Sequence, residues 1–508
     1  MKQQFNDASH SLSKVKMTKS LCFATFVLAI ALLSSQMTLA QNDSLNRYDY
    51  NIELRAGATS NDQVPFWLRT NQYGSRPSAG ASGGLIFGIR HRYATDSIKK
   101  TIDWRMNFES RLNIGRENEF QIIEANIEMR ASIFELSLGR SRDLVGIADS
   151  TLSSGSFSIS GNARGIPKLE LSIPTYWTLP FANKWLAIKG DFSYGYMGQY
   201  DIFTRTPRYD REHVFSHQKS FYLRIGKPGK RWALSGGFNH NVQFGAEKNQ
   251  DPNWGLSGFE TLWYVANGQM YRGSKVGNHQ GSIDQAIDYD FENVHVMAYH
   301  QFFYEVGGLI HFNNLKDGLF GISLRNKRRS SEWGWNKAVI ELFTSKSQGG
   351  ELDAKMTPSG DEDYYNNYLY FQGWTYQGEN LGNNFLTNAK YIRQDLPHRD
   401  KEYIKNNRIY LVHLGLDGYY KSWNAQIKTS FSRNFGTYAI SPEGTTTGPN
   451  RVIGPPPYFS AVNQFSGYLE LNRDIKRLGV NVGGAVAVDR GGLLYNSVGG
   501  YLKISKRL

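Results

Sequence analysis

The chain has 508 residues, a formal net charge of +13, 14% aromatic side chains, 51 glycines and one cysteine. A lone cysteine excludes an internal disulfide scaffold, the aromatic content excludes global disorder, and a single long apolar stretch excludes a helical multispan membrane protein. Several soluble domains or one large β-barrel remain, and the excess of glycine and tyrosine favours the barrel.

Residues 1–40 read as a secretory signal. Lys14, Lys16 and Lys19 form a positive n-region, residues 21–33 a short apolar h-region, and Thr38-Leu39-Ala40 a small-residue cleavage site. Met17 would serve as a start as well as Met1. Cys22 opens the h-region, which does not suit a lipid anchor, and it leaves with the signal. Residues 41–508 then form one body with no second globular domain.

From there on, period-two alternation dominates. Candidate strands are 48–56, 85–93, 101–111, 121–130, 168–173, 185–196, 221–225, 232–238, 294–304, 320–324, 338–344, 408–417, 423–431, 465–471, 480–488 and 501–506, about 16 in all. In 101–111, Ile102, Trp104, Met106 and Phe108 share one face, and Asp103, Arg105, Asn107, Glu109 and Arg111 the other. A soluble β-protein alternates in the same way. Long strands recurring almost to the C-terminus, aromatic residues at strand ends, and short turns alternating with long polar excursions favour an outer-membrane barrel. The excursions 199–219, 245–292, 345–407 and 433–463 are expected as outer loops or lumen-filling pieces, and 61–81 at the periplasmic mouth. The last strand ends on Leu508, a departure from the terminal aromatic residue common in such barrels.

Three segments resemble the capsule-assembly Wzi family of Gram-negative outer membranes. They are Pro65-Phe66-Trp67-Leu68-Arg69-Thr70-Asn71-Gln72-Tyr73-Gly74, then Gly161-Asn162-Ala163-Arg164-Gly165-Ile166-Pro167 running on to Trp177-Thr178-Leu179-Pro180-Phe181, and Lys189-Gly190-Asp191-Phe192-Ser193-Tyr194-Gly195-Tyr196. Their order and spacing extend the resemblance over nearly all of 41–508. It implies an all-β fold: one transmembrane barrel of about 18 antiparallel strands, with helical material plugging the periplasmic side and long outer loops closing the other. It also implies a non-enzymatic, lectin-like role in holding capsular or exopolysaccharide at the cell surface.

Retaining a polysaccharide needs aromatic faces for sugar rings and cations for acidic groups. Residues 361–380 are the densest aromatic candidate, with Tyr364, Tyr365, Tyr368, Tyr370, Trp374 and Tyr376; the same rings could equally form a loop core or an interfacial girdle. Arg325, Lys327, Arg328 and Arg329 are the strongest basic run. It suits an acidic polysaccharide or lipopolysaccharide phosphate, or else a solvated rim cluster. Residues 442–457 form a proline-rich loop, either a rigid binding loop or a lid.

Little points to catalysis. His213 and His217 sit in a segment expected as loop, with no third ligand after them, and there is neither a G-x-S-x-G elbow nor a phosphate-cradling loop. No catalytic residue, metal or cofactor is therefore expected. The positive charge is spread over many strands of an exported chain, which argues against nucleic acid. The expected partners are polysaccharide, outer-membrane lipid and lipopolysaccharide, with the protein a monomer. A porin-like channel for small solutes is the alternative, followed by an outer-membrane hydrolase.

Overall fold

The structure, a computed structural model, describes residues 47–94, 101–203, 209–251, 253–305, 314–330, 332–348, 362–447 and 450–508. The signal segment 1–40, with its cleavage site and Cys22, lies outside the described residues.

Eighteen strands form one sheet: β1 (Tyr48–Thr59), β2 (Ser82–His91), β3 (Ile102–Gly115), β4 (Glu119–Ala131), β5 (Phe134–Arg140), β6 (Lys168–Thr178), β7 (Leu186–Phe203), β8 (Tyr209–Ile225), β9 (Trp232–Phe244), β10 (Asn278–Asp290), β11 (Val294–Glu305), β12 (Gly318–Asn326), β13 (Trp333–Thr344), β14 (Ile409–Tyr420), β15 (Trp423–Asn434), β16 (Val462–Ile475), β17 (Val480–Gly491) and β18 (Ser497–Arg507). Each pairs antiparallel with its sequence neighbours, and β1 also pairs with β18, Leu54 opposite Ile504, which closes the barrel. Leu508 exchanges both backbone hydrogen bonds with Tyr50, so the final residue extends the closing ladder without needing an aromatic ring. Closure leaves no free sheet edge, the condition for crossing a bilayer with strands.

Burial decides between a soluble and a membrane β-protein. The apolar members of the alternation are exposed: Ile102 and Trp104 on β3, Ile127 and Met129 on β4, Leu136 and Leu138 on β5, Leu169 and Leu171 on β6. Their charged neighbours Asp103, Glu124, Glu128 and Glu135 are buried. A soluble protein places these two classes the other way round. The buried charges are paired inside the barrel, Arg105 with Glu128 and Glu135, Arg130 with Glu135, and Lys503 with Glu470. Pairing offsets the several kcal/mol per ion that burial costs.

An even strand number puts both termini at the same end. That end also holds the short turns, such as the two-residue turns 132–133 and 421–422, in which Ser132 and Lys421 take positive φ as tight hairpins require. Short turns mark the periplasmic end of such barrels and long connections the outer end. The long connections, those after β1, β5, β9, β13 and β15, all leave and re-enter the barrel at the other end.

The structure corrects several expectations. Segment 61–81 lies at the outer end, not the periplasmic mouth, and carries α1 (Phe66–Arg69). The other α-helix, α2 (Gly258–Asn267), is also in an outer-end connection, so among the described residues no helix plugs the periplasmic side. Most of 199–219 is strand, in the longest hairpin of the barrel, β7–β8. Strands β5 and β10 were not expected. The first has only seven residues, and in the second Gln285 interrupts the outward apolar row of Ile283, Ile287 and Tyr289.

The inside-out burial makes a direct prediction. Leu171→Arg, in the middle of the lipid-facing row, should cost about 2–4 kcal/mol of folding stability in vesicles. Urea titration of the refolded barrel measures this, and an unchanged midpoint would show that the row does not face lipid.

Candidate functional site

The lumen is not empty. Segment 141–167 leaves β5, crosses the interior and docks on the opposite wall, β10 to β14. Its backbone and hydroxyl groups meet wall side chains in turn. The Ile147 N–H donates to Asp284 Oδ2 at 2.7 Å, the Ser154 N–H to Glu341 Oε2 at 2.6 Å and the Ser153 hydroxyl to Glu341 Oε1 at 2.6 Å. The Leu152 carbonyl accepts from His413 Nε2 at 2.6 Å. Asp149 reaches Ser323 and Lys337, at 2.9 Å and 3.0 Å. Burial opposes ionisation of Asp149, but the N–H groups of Leu152 and Thr151 and the Lys337 ammonium hold its carboxyl down to about 2. Leu152, Phe157, Asp284, Gln301 and Glu341 all have 0% exposure, so these contacts between plug and wall are closed to water.

Segment 362–408 closes the mouth above the plug. Trp374 Nε1 donates to the Ser158 carbonyl at 2.7 Å, the Tyr365 hydroxyl to the Phe157 carbonyl, and Asn383 Nδ2 to the Gly155 carbonyl at 2.7 Å. Phe157 stacks on Phe303 of β11 with centroids 4.3 Å apart, and Tyr364 meets Phe157 edge-on. From the other side α1 inserts Phe66 against Phe385 at 4.4 Å, its N–H donating to Asp489 on β17 at 2.7 Å. These rings belong to one apolar cluster spanning plug, lid and wall. The segment from Gly161 to Gly165 fixes the join. Asn162 Nδ2 donates to the Asn380 carbonyl at 3.1 Å, and a Cβ on Gly165 would lie 1.8 Å from the Ser141 carbonyl oxygen, so only glycine fits. Arg164 pairs with Glu119 at 3.4 Å.

This placement revises the aromatic candidates. Tyr364, Tyr365, Tyr370, Trp374 and Tyr376 are buried: they are the core of the lid and have no free face for a ligand. Only Tyr368 is open, at 67%. Beside it, residues 369–371 pair with the end of β7, the Phe203 N–H donating to the Leu369 carbonyl and the Phe371 N–H to the Asp201 carbonyl. Half-buried Phe371 stands 5.6 Å from Phe203 and 6.3 Å from Tyr403. Asp201 there accepts from Gln372 at 3.0 Å and from Arg211 at 2.9 Å. Tyr368 is thus open beside a stretch at the outer end of the barrel that carries Phe371 against Tyr403 and Gln372 against the Asp201–Arg211 pair. Phe371 lies in the same aromatic stretch of sequence, whereas Tyr403 is brought against it only by the fold.

The basic run lies elsewhere. Arg325, Lys327, Arg328 and Arg329 are at the end of β12 and directly after it, at the terminus-bearing end, across the barrel from the lid. Lys327 pairs with Asp290 at 2.5 Å, Arg328 with Glu292 at 2.9 Å, and Arg329 covers the Tyr419 ring at 4.9 Å. The cations and the aromatic surface therefore do not form one site. His213 and His217 lie on β8, not in a loop. His213 contacts the Tyr196 hydroxyl at 2.6 Å while His217 is buried, and no cluster of three metal-ligating side chains occurs among the described residues. Residues 450–457 lie at the outer end beside the lid, where the Pro455 carbonyl accepts from Arg399 at 2.6 Å.

Several carboxyls in or against the lid are held away from water. Burial pushes Asp317 up to about 6, although the Ser347 and Gln348 N–H groups and the Tyr364 hydroxyl donate to it. Burial, then neighbouring Asp363, raises Glu402, and burial raises Glu247 beneath the Tyr370 hydroxyl, 2.5 Å away. Raised carboxyl pKa values mean that the closed lid binds protons more tightly than the opened one. Closure is therefore firmest in acid, and for Asp317 it weakens as pH rises from about 4 to about 6. A nitroxide at Tyr368→Cys should become more mobile between pH 5 and pH 8, and Asp317→Asn with Glu402→Gln should flatten that rise. A slope unchanged in the double variant would contradict the assignment. Trp374→Ala should loosen the lid by about 3–5 kcal/mol, read as new protease cleavage within 362–392 while the barrel keeps its heat-modifiable migration.

Among solved structures, the chain is similar to Wzi of Escherichia coli, described as an outer membrane protein involved in group 1 capsule assembly and a carbohydrate-binding β-barrel. The TM-score is 0.53 at 13% identity, over 89% of this chain and 83% of that one. Outer membrane protein OpdK of Pseudomonas aeruginosa aligns over 91% of this chain and 98% of its own, at TM-score 0.40 and 10% identity. OccAB4 of Acinetobacter baumannii aligns over 91% and 99%, at 0.43 and 7%. No curated protein matches the sequence significantly. The family described as capsule assembly protein Wzi matches residues 49–398, most of the chain and every element of the plug and lid up to His398. With the closed 18-stranded barrel, this places the protein in the outer membrane as a member of the Wzi capsule assembly family.

Proposed function

We propose that the protein is a non-enzymatic, lectin-like anchor that holds capsular or exopolysaccharide at the cell surface, on the outer face of its lid. One observation carries this reading: the lid lies over a filled lumen yet leaves Tyr368 open at the outer end, next to Gln372 and the Asp201–Arg211 pair that it bonds. Exposed rings stack on the apolar faces of sugars, and flanking amides and guanidinium groups hydrogen-bond hydroxyls and carboxylates. The carbohydrate binding of the Escherichia coli protein supports the same direction. Buried Tyr364, Tyr365, Tyr370, Trp374 and Tyr376 serve indirectly, by holding the lid shut. On this reading Arg325, Lys327, Arg328 and Arg329 face periplasmic headgroups and not the polymer, and the protein acts as a monomer.

The binding surface can be tested without disturbing the lid core. Tyr368→Ala should lower affinity for the cognate polysaccharide by about 1 kcal/mol, roughly fivefold, with heat-modifiable folding intact. Unchanged affinity would move the site off this surface. The channel alternative is separable. In a planar bilayer the plugged barrel should pass little current, whereas a steady large conductance would favour a porin.

A further inference from the structure

The connection 245–277 does not stand above the membrane with the others. It folds back over the outside of the barrel. Alternation fixes the faces. On β8, Gln218 and Tyr222 point inward to Asp191 and Asp284, so His217, Lys219 and Phe221 point outward. On β9, Asn239 meets Ser282 inside, so His240, Val242 and Phe244 point outward, as does His279 on β10. Yet His217, Val242, Phe244 and His279 are buried, and what covers them is α2 with its flanking chain: Val242, Phe244, Val265 and Val276 form a second apolar cluster, joined by Tyr194, Leu262 and Tyr271. The Tyr194 hydroxyl donates to the Leu262 carbonyl at 2.9 Å, and Lys219 Nζ to the Ala266 carbonyl.

The helix is built to hold this position. Ser257 and Glu260 form a capping box at its start, and Gly268, with φ of 63°, ends it in the left-handed conformation. Val265 and Ala266 face the barrel wall. Phe259 at 79% and Trp263 at 58%, one turn apart, remain exposed, with Met270 at 61% just beyond the helix.

Three observations set the depth of that face. Exposed aromatic residues flank the helix along the strands on both sides: Tyr196 and Phe215 toward the outer end, Phe192, Phe221 and Phe238 toward the periplasmic end. His240 lies eight residues along β9 from Trp232, which meets Trp185 at 5.6 Å on the terminus-bearing rim. At about 3.3 Å per residue and a tilt of about 40°, that is roughly 20 Å of height within an apolar band about 25 Å tall. Finally, imidazoles and a lysine on a lipid-facing wall are costly when bare. Here they are covered and bonded, His240 to His279 at 2.9 Å, His279 to the Val276 carbonyl at 2.9 Å and His217 to the Ser193 carbonyl at 3.0 Å.

We propose that α2 is an interfacial helix embedded in the outer leaflet, its Phe259–Trp263–Met270 face packed on lipid acyl chains as a continuation of the barrel's lipid-facing belt. It would fix the height and rotation of the lid-bearing side relative to the membrane surface, since Tyr370 of the lid is bonded to Glu247 of the same connection.

Spin-label depth tests this on the full chain carrying Cys22→Ser, refolded into phosphatidylcholine vesicles. A nitroxide at Trp263→Cys, and separately at Phe259→Cys, is compared with lipid-facing Leu171→Cys and with lid Tyr368→Cys, each variant first shown to be heat-modifiable. The two helix labels should show the high ratio of oxygen to nickel-chelate accessibility of the Leu171 label. A ratio matching the Tyr368 label overturns the proposal, because the helix then faces water. Protection from both reagents also overturns it, because a second copy or another protein then covers the helix.

Discussion

The architecture depends on a few buried carboxylates facing one wall of the lumen. Asp284 and Glu341 project from the barrel into a region that water does not reach, and each is satisfied by the backbone or hydroxyls of a chain that comes from the opposite wall. A buried, unpaired carboxylate costs several kcal/mol, so the wall is stable only with the plug in place, and the plug is placed only by that wall. This mutual requirement explains why 141–167, with little secondary structure of its own, is so deeply buried. The tyrosines Tyr222 and Tyr299 complete the arrangement by donating to the same carboxylates at 3.1 Å and 2.5 Å.

Everything at the outer end builds on that plug. The lid packs Trp374, Tyr365 and Tyr364 on its backbone and on Phe157, and α1 wedges in from the first connection. The lid then pairs residues 369–371 with the tip of β7 in the β7–β8 hairpin, next to exposed Tyr368. The surface offered to a polymer is thus the far side of a structure whose near side is wholly engaged in closing the barrel. Long loops in this protein are chiefly packing elements, and one of them packs on the outer wall.

Much of the barrel was legible because period-two alternation depends only on local sequence: sixteen of eighteen strands carried it, and Ile102 and Trp104 against Asp103 and Arg105 announced the two faces. The missed β10 shows the limit, since its outward row contains Gln285 and, beneath α2, His279. The resemblance carried by Pro65–Gly74 and Gly161–Pro167 identified the family, yet gave no position. Those segments turned out to be the wedge and the plug–lid join. The candidate site was legible only as composition. Seven aromatic residues within 361–380 look alike in sequence, and whether a ring faces core or water depends on partners hundreds of residues away, as with Trp374 and Ser158. Likewise nothing local tells a basic turn at one barrel end from a basic loop at the other, so Arg325 to Arg329 could not be placed.

The central claim, that the plug is clamped to β10–β13 by buried carboxylates, is tested most directly by hydrogen exchange of residues 145–160 in the refolded barrel, with and without Glu341→Ala. The account predicts protection in the wild-type plug comparable to that of the strands, and its loss in the variant while β1–β9 stay protected. Fast exchange of the plug in the wild-type protein, or undiminished protection in Glu341→Ala, would contradict it.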